Sequence, residues 1–143
     1  MEKLETIAKQ IATKAHQGQL DKADQPYITH PEFVASQVTG DEAKAVAWLH
    51  DVVEDTPVTF ADLHAAGLSE SVIAGVAAIT KRDDEDYEIY LGRVAANPLA
   101  RDVKLADLTH NMDLSRLKVI TDKTRERLEK YKSAFAKLSK SKT

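Results

Sequence analysis

The sequence contains no cysteine. Disulfides, thiolate nucleophiles and cysteine-ligated zinc are therefore excluded, and any bound metal must be held by nitrogen and oxygen. The same absence fits a reducing, cytoplasmic setting. The N-terminal stretch MEKLETIAKQIATKAH lacks a continuous hydrophobic segment: it alternates charged with apolar residues, and so reads as neither a signal peptide nor a membrane span. An excess of positive charge is also missing. Lysine and arginine total 20 against 23 acidic residues, a net charge of -3, which gives no electrostatic support for nucleic-acid binding. Strand-like alternation and internal repeats are absent.

What is present is a helical period. With 43% apolar and 30% charged residues, the chain is composed like a soluble globular protein of one domain. That domain is expected over residues 1–138, with 139–143, in the lysine- and serine-rich end KLSKSKT, as a frayed tail. Leu4, Ile7, Ala8, Ile11, Ala12 and Ala15 form the apolar stripe of a first helix. HQGQLDKADQPYITHP reads as a loop, followed by a short second helix from Pro31 to Val38. TGDEA opens a third helix, and Thr59 and Ser69 look like N-caps of two more around Gly67. Further helices are expected over Asp86–Ala96, Arg101–Met112 and Thr124–Leu138. The fold class is an all-α bundle of short helices.

The stretch WLHDVVEDT, from Trp48 to Thr56, concentrates acidity without a lysine or arginine. Carried on the third helix at about 100° per residue, His50, Asp51, Glu54 and Asp55 occupy one face, and Trp48, Leu49, Val52 and Val53 the other. A polar face can simply meet water. Here, however, Asp51 and Asp55 repel at i,i+4, and Glu54 and Asp55 lie near a helix C-terminus, where the macrodipole disfavours anions. A metal ion would supply the missing cation. Adjacent His and Asp side chains do not complete a site alone, since first-row divalent ions such as Mn²⁺ take about six donors. His30 in PYITHP and Asp107 in VKLADLTHNMD are the further candidates. Taken singly, His30 reads as a structural histidine, and Asp107 as the partner of Lys104 in a surface ion pair.

Taken together, HP at His30, HDVVEDT at His50 to Thr56 and KLADLTHNM at Lys104 to Met112 resemble the HD-domain phosphohydrolases. The resemblance is specifically to the hydrolase domain of RelA/SpoT proteins and to stand-alone small alarmone hydrolases. AHQGQLDKADQPYITHP adds a fourth match, and the resemblance runs from about Ala15 to Leu117. It implies a single HD-domain bundle with His30, His50, Asp51 and Asp107 as ligands of Mn²⁺, and with Glu54, Asp55 and Asn111 lining the reaction centre. It implies a nucleotide substrate and removal of the 3′-pyrophosphate from guanosine tetra- or pentaphosphate. A chain of 143 residues is expected to have no room for the synthetase domain of the long enzymes.

In that chemistry the metal lowers the pKa of a water and polarises the phosphorus, while Glu54 and Asp55 orient the water or protonate the departing 3′ oxygen. Which carboxylate does which is open. Asn111 would hold a phosphate oxygen or a carboxylate, and Lys104 would offset phosphate charge or pair with Asp107. Several positions depart from the resemblance: Asp21-Lys22 stands where consecutive basic residues are common, Leu108 follows KLAD in place of arginine, and Asp113-Leu114 follows HNM in place of arginine-threonine. Lys22, Lys81 and Arg82 remain as phosphate contacts or plain surface charges. Tyr131 would stack on a base or pack in the core. Weaker, salt-sensitive substrate binding is expected. His110 is expected to face away from the cluster and to be structural, and His16 and His64 carry no assigned role. Two other function classes stay open: hydrolysis of another nucleotide, NADPH among them, and a non-catalytic nucleotide-binding module.

Overall fold

The computed structural model describes residues 3–21 and 23–141; Lys22, and residues 142 and 143 of the expected tail, lie outside the described residues. The chain folds as an all-α bundle: α1 (Leu4–Ala15), α2 (Thr29–Ser36), α3 (Asp41–Leu49), α4 (Val52–Asp55), α5 (Phe60–Ala65), α6 (Glu70–Ile79), α7 (Tyr87–Ala96), α8 (Pro98–Asn111) and α9 (Asp122–Ser141), with a 3-10 turn at Leu114–Arg116. Among the described residues, no helix is long and apolar enough to cross a membrane.

α3 is the central element. Ala43 and the run Ala45–Leu49 are buried all round the helix, because α1, α2, α6 and α8 all pack against it. α1 lays Ala8 and Ala12 on it, and the carboxylate of Asp41, at the start of α3, accepts the Leu4 and Glu5 amides, both at 2.9 Å, so α3 caps α1 across the chain. α6 approaches equally closely at Gly75, where an added Cβ would lie 2.9 Å from Val46 Cγ2. α9 closes the far side, burying Ala134 and Leu138.

The caps explain several boundaries. Thr59 and Asp62 form a reciprocal capping box on α5, and Ser69 and Asp86 cap α6 and α7. α8 begins at Pro98, earlier than the expected Arg101, because Asn97 caps it by accepting the Ala100 amide at 3.0 Å and Pro98 fits the first turn. α2 likewise begins at Thr29 and takes Pro31 into its first turn. α9 runs past the expected Leu138 to Ser141.

One expectation about the third helix is corrected. His50 to Asp55 do not continue it: α3 ends at Leu49, His50 and Asp51 form a turn, and α4 adds a single turn from Val52. The His50 amide reaches the Ala47 carbonyl only at 3.5 Å, whereas the His50 Nδ1–H donates to that carbonyl at 2.6 Å. The side chain thus competes with the backbone at this point, and Asp51 takes φ -110° and ψ -3°, outside the helical minimum.

Candidate active site

The break between α3 and α4 builds the centre of the site. A regular helix holds adjacent side chains about 100° apart; here Asp51 Oδ2 comes within 3.1 Å of His50 Nε2. The bond from His50 Nδ1 to Ala47 fixes that ring with Nε2 turned inward. From α2, His30 Nε2 lies 2.8 Å from Asp107 Oδ1 and 3.3 Å from His50 Nε2. From α8, Asp107 completes the group, its Oδ1 3.3 Å from His50 Nε2. Donor atoms of His30, His50 and Asp107, all three residues buried, lie within 4.8 Å of one another. Asp51 Oδ2 is 3.8 Å from His30 Nε2. Two imidazole nitrogens and carboxylate oxygens turned toward one point are a donor set suited to a divalent first-row metal.

Each of these four side chains is aimed by a neighbour. Lys104 Nζ holds the other oxygen of Asp107 at 3.1 Å, and Asn111 Nδ2 donates to Asp107 Oδ1 at 3.1 Å. The Tyr27 hydroxyl donates to Asp51 Oδ2. His110 Nδ1 lies 2.7 Å from His30 Nδ1, and its ring stacks between His30 and Phe33. The expectation that His110 faces away from the cluster is therefore corrected. His110 is three residues beyond Asp107 and next to Asn111, which puts all three on one helical face. The i,i+3 spacing was the signal that could have found it. Tyr27 lay in plain view in PYITHP, but nothing in the sequence joins it to Asp51.

The electrostatics follow from burial and pairing. Burial raises the Asp51 pKa, but His50 outweighs it and pulls the carboxyl down to about 2. Asp107 is held well below the usual range, burial being overcome by Lys104, His30 and His50. Burial disfavours charge on His50, yet Asp51 and Asp107 raise it well above an ordinary imidazole. Lys104 is raised against its burial, chiefly by Asp107. Burial, and then Asp51, raise Tyr27, which keeps its hydroxyl proton as the donor to Asp51. Burial, Arg116 and His30 push His110 down to about 4, so its ring is neutral and Nδ1 can accept from His30.

These residues form the floor of a cavity of about 580 Å³. Glu54, Lys81, Lys104, Asn111 and Tyr131, all candidates from the sequence, line it. Glu54 Oε1 accepts the Lys81 amide at 3.0 Å, and partial burial together with Asp51 and Asp55 raises its pKa against that bond. Lys104 is drawn to Asp107, so the ion pair is its observed contact. Asp55 is exposed and Arg82 has its amide bound to Glu85 Oε1; neither is among the described residues lining the cavity. Burial, then Asp51, raise the Asp55 pKa. Tyr87, Tyr90, Arg116 and Lys130 also line the cavity and were not among the candidates. Tyr87, Tyr90 and Lys130 come from helices distant in sequence from the three motifs, and Arg116 from the 3-10 turn just after the last of them, so folding is needed to bring all four to one cavity.

No family model matches the chain. It is 38% identical, over 71% of its length, to the guanosine-3′,5′-bis(diphosphate) 3′-pyrophosphohydrolase of Haemophilus influenzae. It is 37% identical, again over 71%, to the bifunctional (p)ppGpp synthase/hydrolase SpoT of Escherichia coli K12. Against a GTP pyrophosphokinase of Streptomyces coelicolor it is 34% identical over 87% of its length. The chain spans 17% of the first of these proteins and 16% of the other two. A solved structure described as a metazoan orthologue of SpoT that hydrolyses ppGpp superposes with a TM-score of 0.78 at 23% identity, covering 96% of this chain and 86% of that one.

Proposed function

We propose that this chain, a RelA/SpoT hydrolase-like domain, hydrolyses guanosine 3′,5′-bis(diphosphate) at the 3′ position, giving GDP and pyrophosphate. The observation that carries the reading is the convergence of His30, His50 and Asp107 on one point at the cavity floor, with Asp51 beside them. The motifs that hold these residues are those of the resemblance to alarmone hydrolases. We assign His30, His50, Asp51 and Asp107 as ligands of a divalent ion, Mn²⁺. That ion, when bound, supplies Lewis-acid polarisation of the phosphate and a water of lowered pKa.

The protein's own groups do the rest. Glu54 borders the cavity with a raised pKa, which suits a carboxyl that takes a proton from the attacking water or returns one to the leaving 3′ oxygen. Asp55, one residue on, lies outside the cavity lining and is not retained as an acid–base group; its charge helps to keep the Glu54 pKa raised. Asn111 fixes the orientation of Asp107 through its amide, and Lys104 keeps Asp107 ionised. Lys81 offsets phosphate charge, and Tyr131 borders the nucleotide; Arg82, which does not line the cavity, is not retained. The substrate is a small nucleotide encountered in the cytoplasm.

The test is release of GDP and pyrophosphate from guanosine 3′,5′-bis(diphosphate), run against a panel of other nucleotides including NADPH, with and without Mn²⁺. The reading expects Mn²⁺-dependent cleavage at the 3′ position. Cleavage of another nucleotide in preference would remove the alarmone assignment while leaving the metal chemistry. Failure to turn over any nucleotide would leave only a binding module.

A further inference from the structure

Asp21 and Asp113 stand where the resemblance has basic residues, and both turn out to place a cation. Asp113 accepts the Ser115 amide at 3.1 Å and thereby caps the 3-10 turn Leu114–Arg116. Arg116, the last residue of that turn, lines the cavity. Its Nη1 donates to the His110 carbonyl at 3.0 Å, and its Nη2 to Asp21 Oδ2 at 3.2 Å. Asp21 is itself held, its Oδ1 accepting the amides of Ala23 at 2.8 Å and Gln25 at 3.0 Å. The Asp21 side chain is 7% exposed and that of Arg116 24% exposed. This guanidinium is therefore fixed at two corners and open at the others.

A guanidinium has five N–H donors. The two bonds named use two of them, leaving three with no partner among the described residues. Other cations of the cavity are committed differently: Lys104 is turned to Asp107, Lys81 Nζ donates to the Arg82 carbonyl, and Lys130 lies over the Tyr87 ring. A planar fork held rigidly with donors to spare loses little freedom on binding and matches the oxygens of a phosphate.

We propose that Arg116 is a phosphate-binding residue of this site, presented by Asp21 and Asp113, and that it sets affinity for the phosphate groups of the nucleotide. The proposal rests on the nucleotide reading above. Asp21 is then not a lost phosphate contact but the anchor of a gained one. Replacing it with arginine would remove the oxygen that accepts two backbone amides and place like charges together, raising KM rather than lowering it.

Two variants separate phosphate binding from a mere tie between segments. Arg116→Gln removes the fork; Asp21→Asn keeps Oδ1 as an acceptor, breaks the ion pair and leaves the guanidinium charge unneutralised. If Arg116 binds phosphate, the variants differ in size of effect: Arg116→Gln, which removes the fork, raises KM for guanosine tetraphosphate by about tenfold with kcat changed less than about threefold, whereas Asp21→Asn, which frees the fork but keeps it, raises KM by less than about threefold. If Arg116 only ties the loop, both raise KM together, in step with the fall in Tm, and the proposal is overturned. KM unchanged in Arg116→Gln also overturns it.

Calorimetry with inorganic pyrophosphate and with GDP, on the Mn²⁺-loaded protein, reads the contact without turnover and so decides the point even if guanosine tetraphosphate is not the substrate. Weaker binding of either anion by Arg116→Gln supports the proposal and tells which phosphates the residue meets. Unchanged binding of both overturns it.

Discussion

The floor of the cavity and its mouth are built in different ways. At the floor, each candidate ligand comes from α2, α8 or the α3–α4 junction, and each has a second partner: Ala47 for His50, His110 for His30, Lys104 for Asp107 and Tyr27 for Asp51. At the mouth, the wall comes from the loop after α1 and the segment between α8 and α9. Leu20 is 60% exposed there, and Val119 71%. The two segments are joined by Arg116–Asp21 and by the exposed pair Lys118–Asp24, the latter of a kind worth about 0–1 kcal/mol. Geometry is over-determined at the floor and, apart from the doubly held Arg116, loosely determined at the mouth. Under the proposed function, reaction type is the resistant property of this site and substrate preference the adjustable one.

The largest effect is expected from breaking the floor outright. Asp107→Ala removes a proposed ligand and leaves the largely buried Lys104 charged without its partner, which costs up to about 3–5 kcal/mol by the usual penalty for an orphaned buried charge. Urea denaturation and Mn²⁺ calorimetry measure both losses, and full metal binding in this variant would contradict the ligand assignment. Glu54→Gln attacks the chemistry without the ligands. It is expected to slow turnover by roughly 10²-fold at near-normal Mn²⁺ affinity, and an equal loss of metal would make Glu54 a ligand. Tyr27→Phe is subtler, removing only the hydroxyl that aims Asp51. Mn²⁺ affinity should fall about 10- to 100-fold, the usual range for losing a ligand's supporting partner, while the Tm of the metal-free protein changes little.

A smaller, pH-linked effect sharpens the comparison further. In the metal-free protein, Asp51 has its pKa lowered, so its contribution to stability is present above about 3.9 and lost as pH falls toward its folded value of about 2. His50 has its pKa raised, so its contribution is present below about 6.5 and lost as pH rises through its folded pKa. Metal-free stability contributed by the floor should then be greatest in mild acid. The metal competes with the proton for His50, so the gain in Tm on adding Mn²⁺ should grow with rising pH. Thermal melts at several pH values, with and without Mn²⁺, check both slopes; a metal increment that shrinks as pH rises would contradict the competition.

The sequence made the bundle legible because it depends on spacing within short segments, while the candidate ligands, spread over three segments, were gathered only through the resemblance their motifs carry. The stripe of α1, the caps Thr59 and Ser69 and the acid-rich run at His50 are local signals. The break after Leu49 was not legible, because it depends on a side chain outcompeting its own backbone for Ala47. Tyr27 and Arg116 were missed for a related reason: each acts on a residue from another helix or loop, and period and composition carry no information about such pairings, whereas the i,i+3 spacing from Asp107 did place His110 on the ligand face. The acidic departures at Asp21 and Asp113 gave no sign of Arg116, since a change of charge at one position says nothing about the cation held at another.

Trp48 is the chain's sole tryptophan and lies two residues before His50 on α3. It is 4% exposed, its indole N–H bonds Glu5 Oε2 at 3.1 Å, and Lys9 lies over its ring, both partners coming from α1. The molecule thus carries a single tryptophan fluorophore, at the α1–α3 contact and outside the cavity lining. Its emission reports whether the first helix is docked, and stays silent about what occupies the active site. A red shift at low denaturant, before helical circular dichroism is lost, would register α1 peeling away as a separate step.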